Sequence, residues 1–219
     1  MAIDYIKLAG IKVMNLEGAI RGMRNPLESW MKSDSDWVKP EVADMENPCY
    51  LKQYPNQEYI YQLGENDYDL AMRLVKAGSD HRKFLRQILV SMDINAPSLF
   101  WREFDTYKVG TVANSTSQMQ TIGNRELTEY DFAYIDDSTL NKINAMIEIY
   151  QKSEDKEIRD LIYHIMPASF LYTRTVTLNY EVLRNMYHAR KNHKLSQWRT
   201  FCKYISHFPY GEFITTKEA

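Results

Sequence analysis

The chain has 219 residues, 44% of them hydrophobic and 26% charged, with a formal net charge of -2. This length suits a single domain over residues 1–219. The near balance of charge speaks against a general nucleic-acid binder or an acidic disordered tail. No stretch is long and apolar enough to span a membrane, so no membrane association is expected. Cys49 and Cys202 are too few and too far apart for a disulfide framework, which favours a reducing compartment. The opening Met-Ala-Ile-Asp-Tyr-Ile-Lys lacks the basic and apolar runs of a signal peptide. A cytoplasmic protein is expected. Sixteen tyrosines within 13% aromatic residues could fill a core or a subunit interface, or stack on flat ligands.

In chain order, Ile3–Met14 alternates loosely around Gly10 and predicts one or two short strands. Asn15–Arg24 predicts a helix that must stop before Pro26. From Lys32 to Glu58, Pro40, Pro48 and Pro55 punctuate a polar stretch, an irregular peripheral excursion that reads as a surface loop or a lid. Asn66–Ala77 reads as a helix with Leu70 and Leu74 inward and Gly78 as its stop; His81–Gln87 adds a helical turn or two. Ile88, Val90, Met92 and Ile94 then alternate with Leu89, Ser91 and Asp93, a strand with one strongly apolar face.

Pro97 opens a helix over Ser98–Tyr107, followed by a loop around Gly110. Asp137–Gln151 predicts a helix with Leu140, Ile143, Met146, Ile147 and Tyr150 on one face; Asp155–Ile165 predicts another, bearing Ile158, Leu161, Ile162 and Ile165. Phe170–Leu178 is a strand by its β-branched and aromatic content. A last helix carries Trp198, Phe201, Cys202 and Ile205 and stops at Pro209. The mixture predicts an α/β or α+β domain, a central sheet flanked by helices.

Asn179–Arg190 is the most informative stretch. Asn179 is a good N-cap, since its side-chain oxygen can accept from a free amide of the first turn. Leu183, Met186 and Tyr187 share one stripe, and Arg190 continues it. An arginine in line with a buried face either snorkels out at the helix end or is aimed at an anion or carbonyl-rich ligand in a cleft. Two clusters accompany it. Arg102 to Lys108 leads into Gly110–Ser117, a charged helix end and small-residue loop that could hold a phosphate or a pyrimidine, or form a polar surface and a turn. Arg184, His188, Arg190, Lys191, His193, Lys194 and Arg199 form a basic run suited to a phosphorylated small molecule or to a solvated face.

Other chemistries are poorly supported. His188 and His193 are five apart and do not share a helix face, so no metal site is indicated. Neither a Gly-x-Gly-x-x-Gly nor a P-loop pattern occurs, and Ser115 and Ser117 have no evident base.

Together the clusters resemble the flavin-dependent thymidylate synthases (ThyX), over roughly residues 74–205. Ala96-Pro97, Asn114 and Ser117 match the family's first motif region, with Glu103 in place of a glutamine. Met166-Pro167, Tyr172-Thr173-Arg174, Asn179, Leu183, Asn185, Arg190 and Gln197-Trp198 match the second. Thr106-Tyr107-Lys108 stands where the family has Arg-His-Arg, Ser115 replaces an acidic residue and Met119-Gln120 an Arg-Tyr pair. Glu181 replaces a flavin-contacting arginine, and Tyr163 stands for another arginine.

The resemblance implies a homotetramer with FAD at subunit interfaces that methylates dUMP to dTMP, using methylenetetrahydrofolate and NADPH. It implies Arg190 as the catalytic residue that binds the uracil and stabilises charge on it. Glu103, Lys108, Asn114 and Ser117 would join it in holding the nucleotide, Lys108 and Ser117 at the phosphate. Thr106, Tyr107, Asn179, Asn185, His193 and Lys194 would meet the flavin, with Tyr107 stacking on its ring. Two alternatives follow from the departures: a catalytically degenerate nucleotide-binding or interaction protein on the same fold, and a modified-pyrimidine synthase.

Overall fold

The computed structural model describes residues 5–39 and 59–218. The elements in chain order are β1 (Lys7–Met14), α1 (Leu16–Met23), β2 (Asp36–Val38), β3 (Ile60–Gln62), α2 (Glu65–Lys76), β4 (Leu89–Pro97), α3 (Ser98–Phe104), β5 (Val112–Ser115) and α4 (Gln118–Thr121). There follow α5 (Asp137–Ser153), α6 (Lys156–Ile165), β6 (Leu171–Asn179), α7 (Tyr180–Arg190), α8 (Ser196–Ile205) and α9 (Glu212–Thr215). A four-stranded sheet runs in the order β1-β4-β6-β5 with every neighbouring pair antiparallel. The expected mixed α/β architecture is present, in its antiparallel form.

The sheet is two-faced because buried and more exposed residues alternate over Leu89–Ala96 of β4 and Thr175–Asn179 of β6. Val90, Met92, Ile94, Val176 and Leu178 are buried under α1, α3, α7 and α8. The opposite face is polar and ties the two strands together by side-chain bonds: the Thr175 hydroxyl donates to Asp93 at 2.6 Å and the Asn95 amide to Thr173 at 2.9 Å. These are directly opposed pairs in the register, the geometry in which cross-strand side chains meet. A second apolar cluster joins Ile143 and Ile147 of α5 to Ile162 of α6 and to Phe132 and Phe170.

Several expectations need correction. Gly10 does not split β1; at φ +58° it sits where the pairing with β4 slips between Ala9 and Lys12, a bulge inside one strand. The helical turn expected over His81–Gln87 is present, as a 3-10 segment over Lys83–Arg86. The helix after Pro97 ends at Phe104, short of Tyr107, because the Thr106 hydroxyl donates to the Glu103 carbonyl at 2.7 Å and the chain tightens into a turn. Leu161 and Ile165 of α6 are exposed, so only Ile162 of that stripe is fully inward. Within the predicted excursion, β2 pairs with the following β3 in a two-stranded sheet; Pro40, Pro48 and Pro55 lie outside the described residues.

One buried carboxylate anchors that segment. Asp67, fully buried on α2, accepts from Arg24 Nε at 2.6 Å on one oxygen. Its other oxygen accepts the Ser33 and Ser35 hydroxyls, each at 2.6 Å, and the amides of Asp34 and Ser35.

Candidate functional site

Three elements, α3, α7 and α8, converge through an aromatic wedge. Phe100 meets Trp198 with ring centroids 4.6 Å apart, Phe104 stacks on Trp198 at 6.2 Å, and Phe201 closes the edge. Such pairs contribute roughly 0.5–1.5 kcal/mol each beyond area burial. Their rigidity places the end of α3 over the last turn of α7.

Arg190 is the last residue of α7, where the negative end of the helix dipole favours a cation. It does not snorkel outward. Its side chain is 20% exposed, and its guanidinium lies 5.1 Å from the Trp198 ring centre and 5.6 Å from that of Tyr107. Its Nε donates to the Tyr107 hydroxyl at 2.9 Å and its Nη1 to Glu103 Oε2. His193 joins the group: its Nδ1 accepts the Leu195 amide at 3.2 Å, and its Nε2 lies 2.9 Å from Arg190 Nη1 and 3.2 Å from the same Glu103 oxygen. Glu103, Tyr107, Arg190 and His193, separately predicted, therefore form one cluster.

Asn179 performs the predicted cap, accepting from the Val182 amide at 3.0 Å. The loop after α3 passes directly over this helix start at Gly110, whose φ of +77° favours glycine. A β-carbon there would lie 3.1 Å from Asn179 Nδ2 and 3.2 Å from a Val182 methyl. The neighbouring Thr111 hydroxyl is buried with no hydrogen-bond partner among the described residues, as is the indole N–H of Trp198.

The other predicted site residues stand apart from the arginine cluster's contacts. Thr106, Lys108, Asn185 and Lys194 are exposed. Asn114 and Ser117 are also exposed, on and just beyond the edge strand β5, with Asn114 opposite Thr175.

The basic run is not one patch, because a helix sends its members to different sides. Arg184 faces away from Arg190, is buried, and donates to the Phe213 carbonyl at 3.2 Å. Burial and then the nearby Arg82 push its pKa down. Glu181, which stands where the resembled family has a flavin-contacting arginine, is turned inward and bound by Arg82 through two bonds of 2.9 and 3.1 Å. Arg199 braces the His193 and Lys194 carbonyls at 2.7 and 3.0 Å.

Two contributors, Trp198 and Arg174, were matched to the resembled family's motifs without being given a role at the site. Trp198 backs Arg190, although the sequence marked it only as a core helix residue and a motif match. Arg174 is held by Asp105 at 2.5 Å and the Tyr172 hydroxyl at 3.0 Å, with its guanidinium 4.5 Å from the Trp101 ring centre. Burial lowers the Arg174 pKa, but the Asp105 and Tyr172 bonds outweigh it and hold the group above its ordinary value. No signal local to Arg174 identified Asp105, 69 residues away.

The fold and this cluster define a mixed α/β protein whose last helix turn presents an aromatic-backed arginine beside a carboxylate. No family model matches the chain, and no curated protein matches it in sequence. Among solved structures it is similar to Thymidylate Synthase X (ThyX) from Helicobacter pylori with FAD and dUMP: TM-score 0.68 and 15% identity, covering 95% of this chain and 96% of that one. A second structure of the flavin-dependent enzyme from the same organism, also complexed with FAD and dUMP, gives TM-score 0.70 at 14% identity, covering 97% and 100%. The chain has the ThyX fold. Among the described residues, no helix is long and apolar enough to cross a membrane.

Proposed function

We propose that this chain is a divergent flavin-dependent thymidylate synthase. It would methylate dUMP to dTMP with FAD, NADPH and methylenetetrahydrofolate, as a cytoplasmic homotetramer. The observation that carries the reading is Arg190, held inward by Glu103 and Tyr107 with His193 beside it on this fold. A flavin is compatible with the start of α7: among the described residues Asn179 Nδ2 donates to nothing while its oxygen caps the helix, and the buried Thr111 hydroxyl beside Gly110 has no partner. Reduced flavin would supply the electrons and relay the one-carbon unit. Arg190 would donate to the pyrimidine and stabilise negative charge building on it, from a position fixed before the substrate arrives. Tyr107 and Asn179 would hold the flavin ring, and Lys108 and Ser117 the nucleotide phosphate.

The visible spectrum of the purified protein is the first test. A flavin absorption band, or a spectral shift on titration with FAD, is expected; neither appearing would remove the reading's foundation. Arg190→Ala should abolish dTMP formation while leaving the circular dichroism spectrum intact, and normal turnover by that variant would show the ligand placement to be wrong.

A second reading has its own support. Glu103 already neutralises Arg190, and Thr106-Tyr107-Lys108 offers one cation where the resembled family has Arg-His-Arg. A nucleotide-binding protein without chemistry would bind dUMP in calorimetry yet form no product with all cofactors present. A synthase for a modified pyrimidine would instead give a product of different mass.

A further inference from the structure

Glu103 uses only half of its carboxylate on its neighbours. Its Oε2 takes both the Arg190 Nη1 bond and the His193 contact, while Oε1 accepts no bond among the described residues. Arg190 is likewise half-engaged, since Nε and Nη1 are used and Nη2 donates to nothing among those residues. Both side chains reach solvent, at 35% and 20% exposure. The Tyr107 and Trp198 ring centres lie 5.6 and 5.1 Å from the guanidinium carbon, and the remaining donor capacity is on Nη2.

An open carboxylate acceptor joined to an open guanidinium donor complements a ligand edge that offers N–H next to C=O. We infer that Glu103 is a specificity residue that accepts the N–H of such an imide edge while Arg190 donates to the adjoining carbonyl; this rests on the proposed nucleotide and flavin reading. Uracil carries this edge at N3, and so does the isoalloxazine ring. Cytosine does not: its N3 is an unprotonated acceptor that a carboxylate repels. Hydrogen bonds to charged groups are strong enough for about tenfold discrimination even at a half-exposed position.

The test is calorimetric titration of the purified protein and of Glu103→Gln, both checked for an unchanged melting temperature. The ligands are dUMP, N3-methyl-dUMP, dCMP, riboflavin and 3-methylriboflavin. The wild type should bind dUMP at least about tenfold more tightly than N3-methyl-dUMP and dCMP if the uracil is read, or riboflavin more tightly than its 3-methyl form if the flavin is. In Glu103→Gln the gap should shrink below about threefold, because an amide can rotate to present either a donor or an acceptor.

A methyl group that weakens binding by bulk alone would keep its full penalty in Glu103→Gln, and that result would overturn the inference. So would equal weakening of all the ligands, the signature of a carboxylate that merely steadies Arg190. Tight dUMP binding indifferent to N3 methylation and to cytosine, with riboflavin equally indifferent to its methyl group, would sink the imide reading and leave the proposed function standing. Failure of the wild type to bind either dUMP or riboflavin would overturn the proposed function and this inference together.

Discussion

Replacing Glu181 by glutamine is expected to remove about 3 kcal/mol of stability. Arg82 grips both oxygens of Glu181, and the two side chains are only 6% and 10% exposed, so neither charge has water to fall back on. Removing one partner of such a pair generally costs about 3–5 kcal/mol, because the other charge stays buried alone. The lower end applies here, since Arg82 also binds Glu218, whose side chain is half-exposed. Against a typical total of about 5–15 kcal/mol this is a large fraction. At about 2–4 °C per kcal/mol for a chain of this size, the melting temperature should fall by about 6–12 °C. Urea unfolding followed by tryptophan fluorescence, together with calorimetry, measures both quantities. The paired replacement Arg82→Met with Glu181→Leu should recover most of the loss, because a packed apolar pair leaves no orphaned charge. Glu181→Arg, which would write the resembled family's residue back in, should fail to fold, as it adds a cation beside Arg82 and the buried Arg184. If Glu181→Gln lies within about 0.5 kcal/mol of the parent, the pair is not the dehydrated clasp described above.

Asp67→Asn should be destabilising by a comparable amount, since an amide cannot satisfy Arg24 and the Asp34 and Ser35 amides at once. Burial pushes the Asp67 carboxyl up, but the bonds from Ser33, Ser35 and Arg24 together outweigh it and hold its pKa below the ordinary value. Its stabilisation is therefore complete above about pH 4 and lost as the pH falls through the lower folded-state value; the Asn variant should show a shallower acid limb in urea unfolding. His188 runs the same way for a different reason: burial first, then Arg184 and Lys191, lowers its pKa, so the fold holds it neutral. Stability present above about pH 6.5 should decline as the ring is forced to protonate, and His188→Gln should flatten that decline in melts between about pH 5 and 7. Gly110→Ala should cost about 1–2 kcal/mol from its positive φ and the close Asn179 and Val182 atoms. It should also weaken FAD binding in a fluorescence titration, and unchanged affinity would separate the loop from the flavin site.

Periodicity made the helix and strand order legible because burial on one face repeats at 3.6 or 2 residues, whatever the partner. The inward residues of β4 and the N-cap of α7 were readable for that reason, as was the inward direction of Arg190 as one of two alternatives. Glu103, Tyr107 and His193 were separately legible as candidates, by resemblance, yet nothing local says that one Glu103 oxygen serves both Arg190 and His193. The basic run misled because proximity in sequence is not proximity on a helix surface: Arg184 and Arg190 are six residues apart and point to different sides. The pairing of Glu181 was illegible because its partner Arg82 is 99 residues away.

By itself the sequence determined which segments become helix or strand and which face of each avoids water, since those preferences act within a few residues. Only the tertiary structure decided which charges are paired and which remain available. An ion pair depends on a partner brought within about 3 Å from a distant part of the chain, and on how much water the closing fold leaves around it.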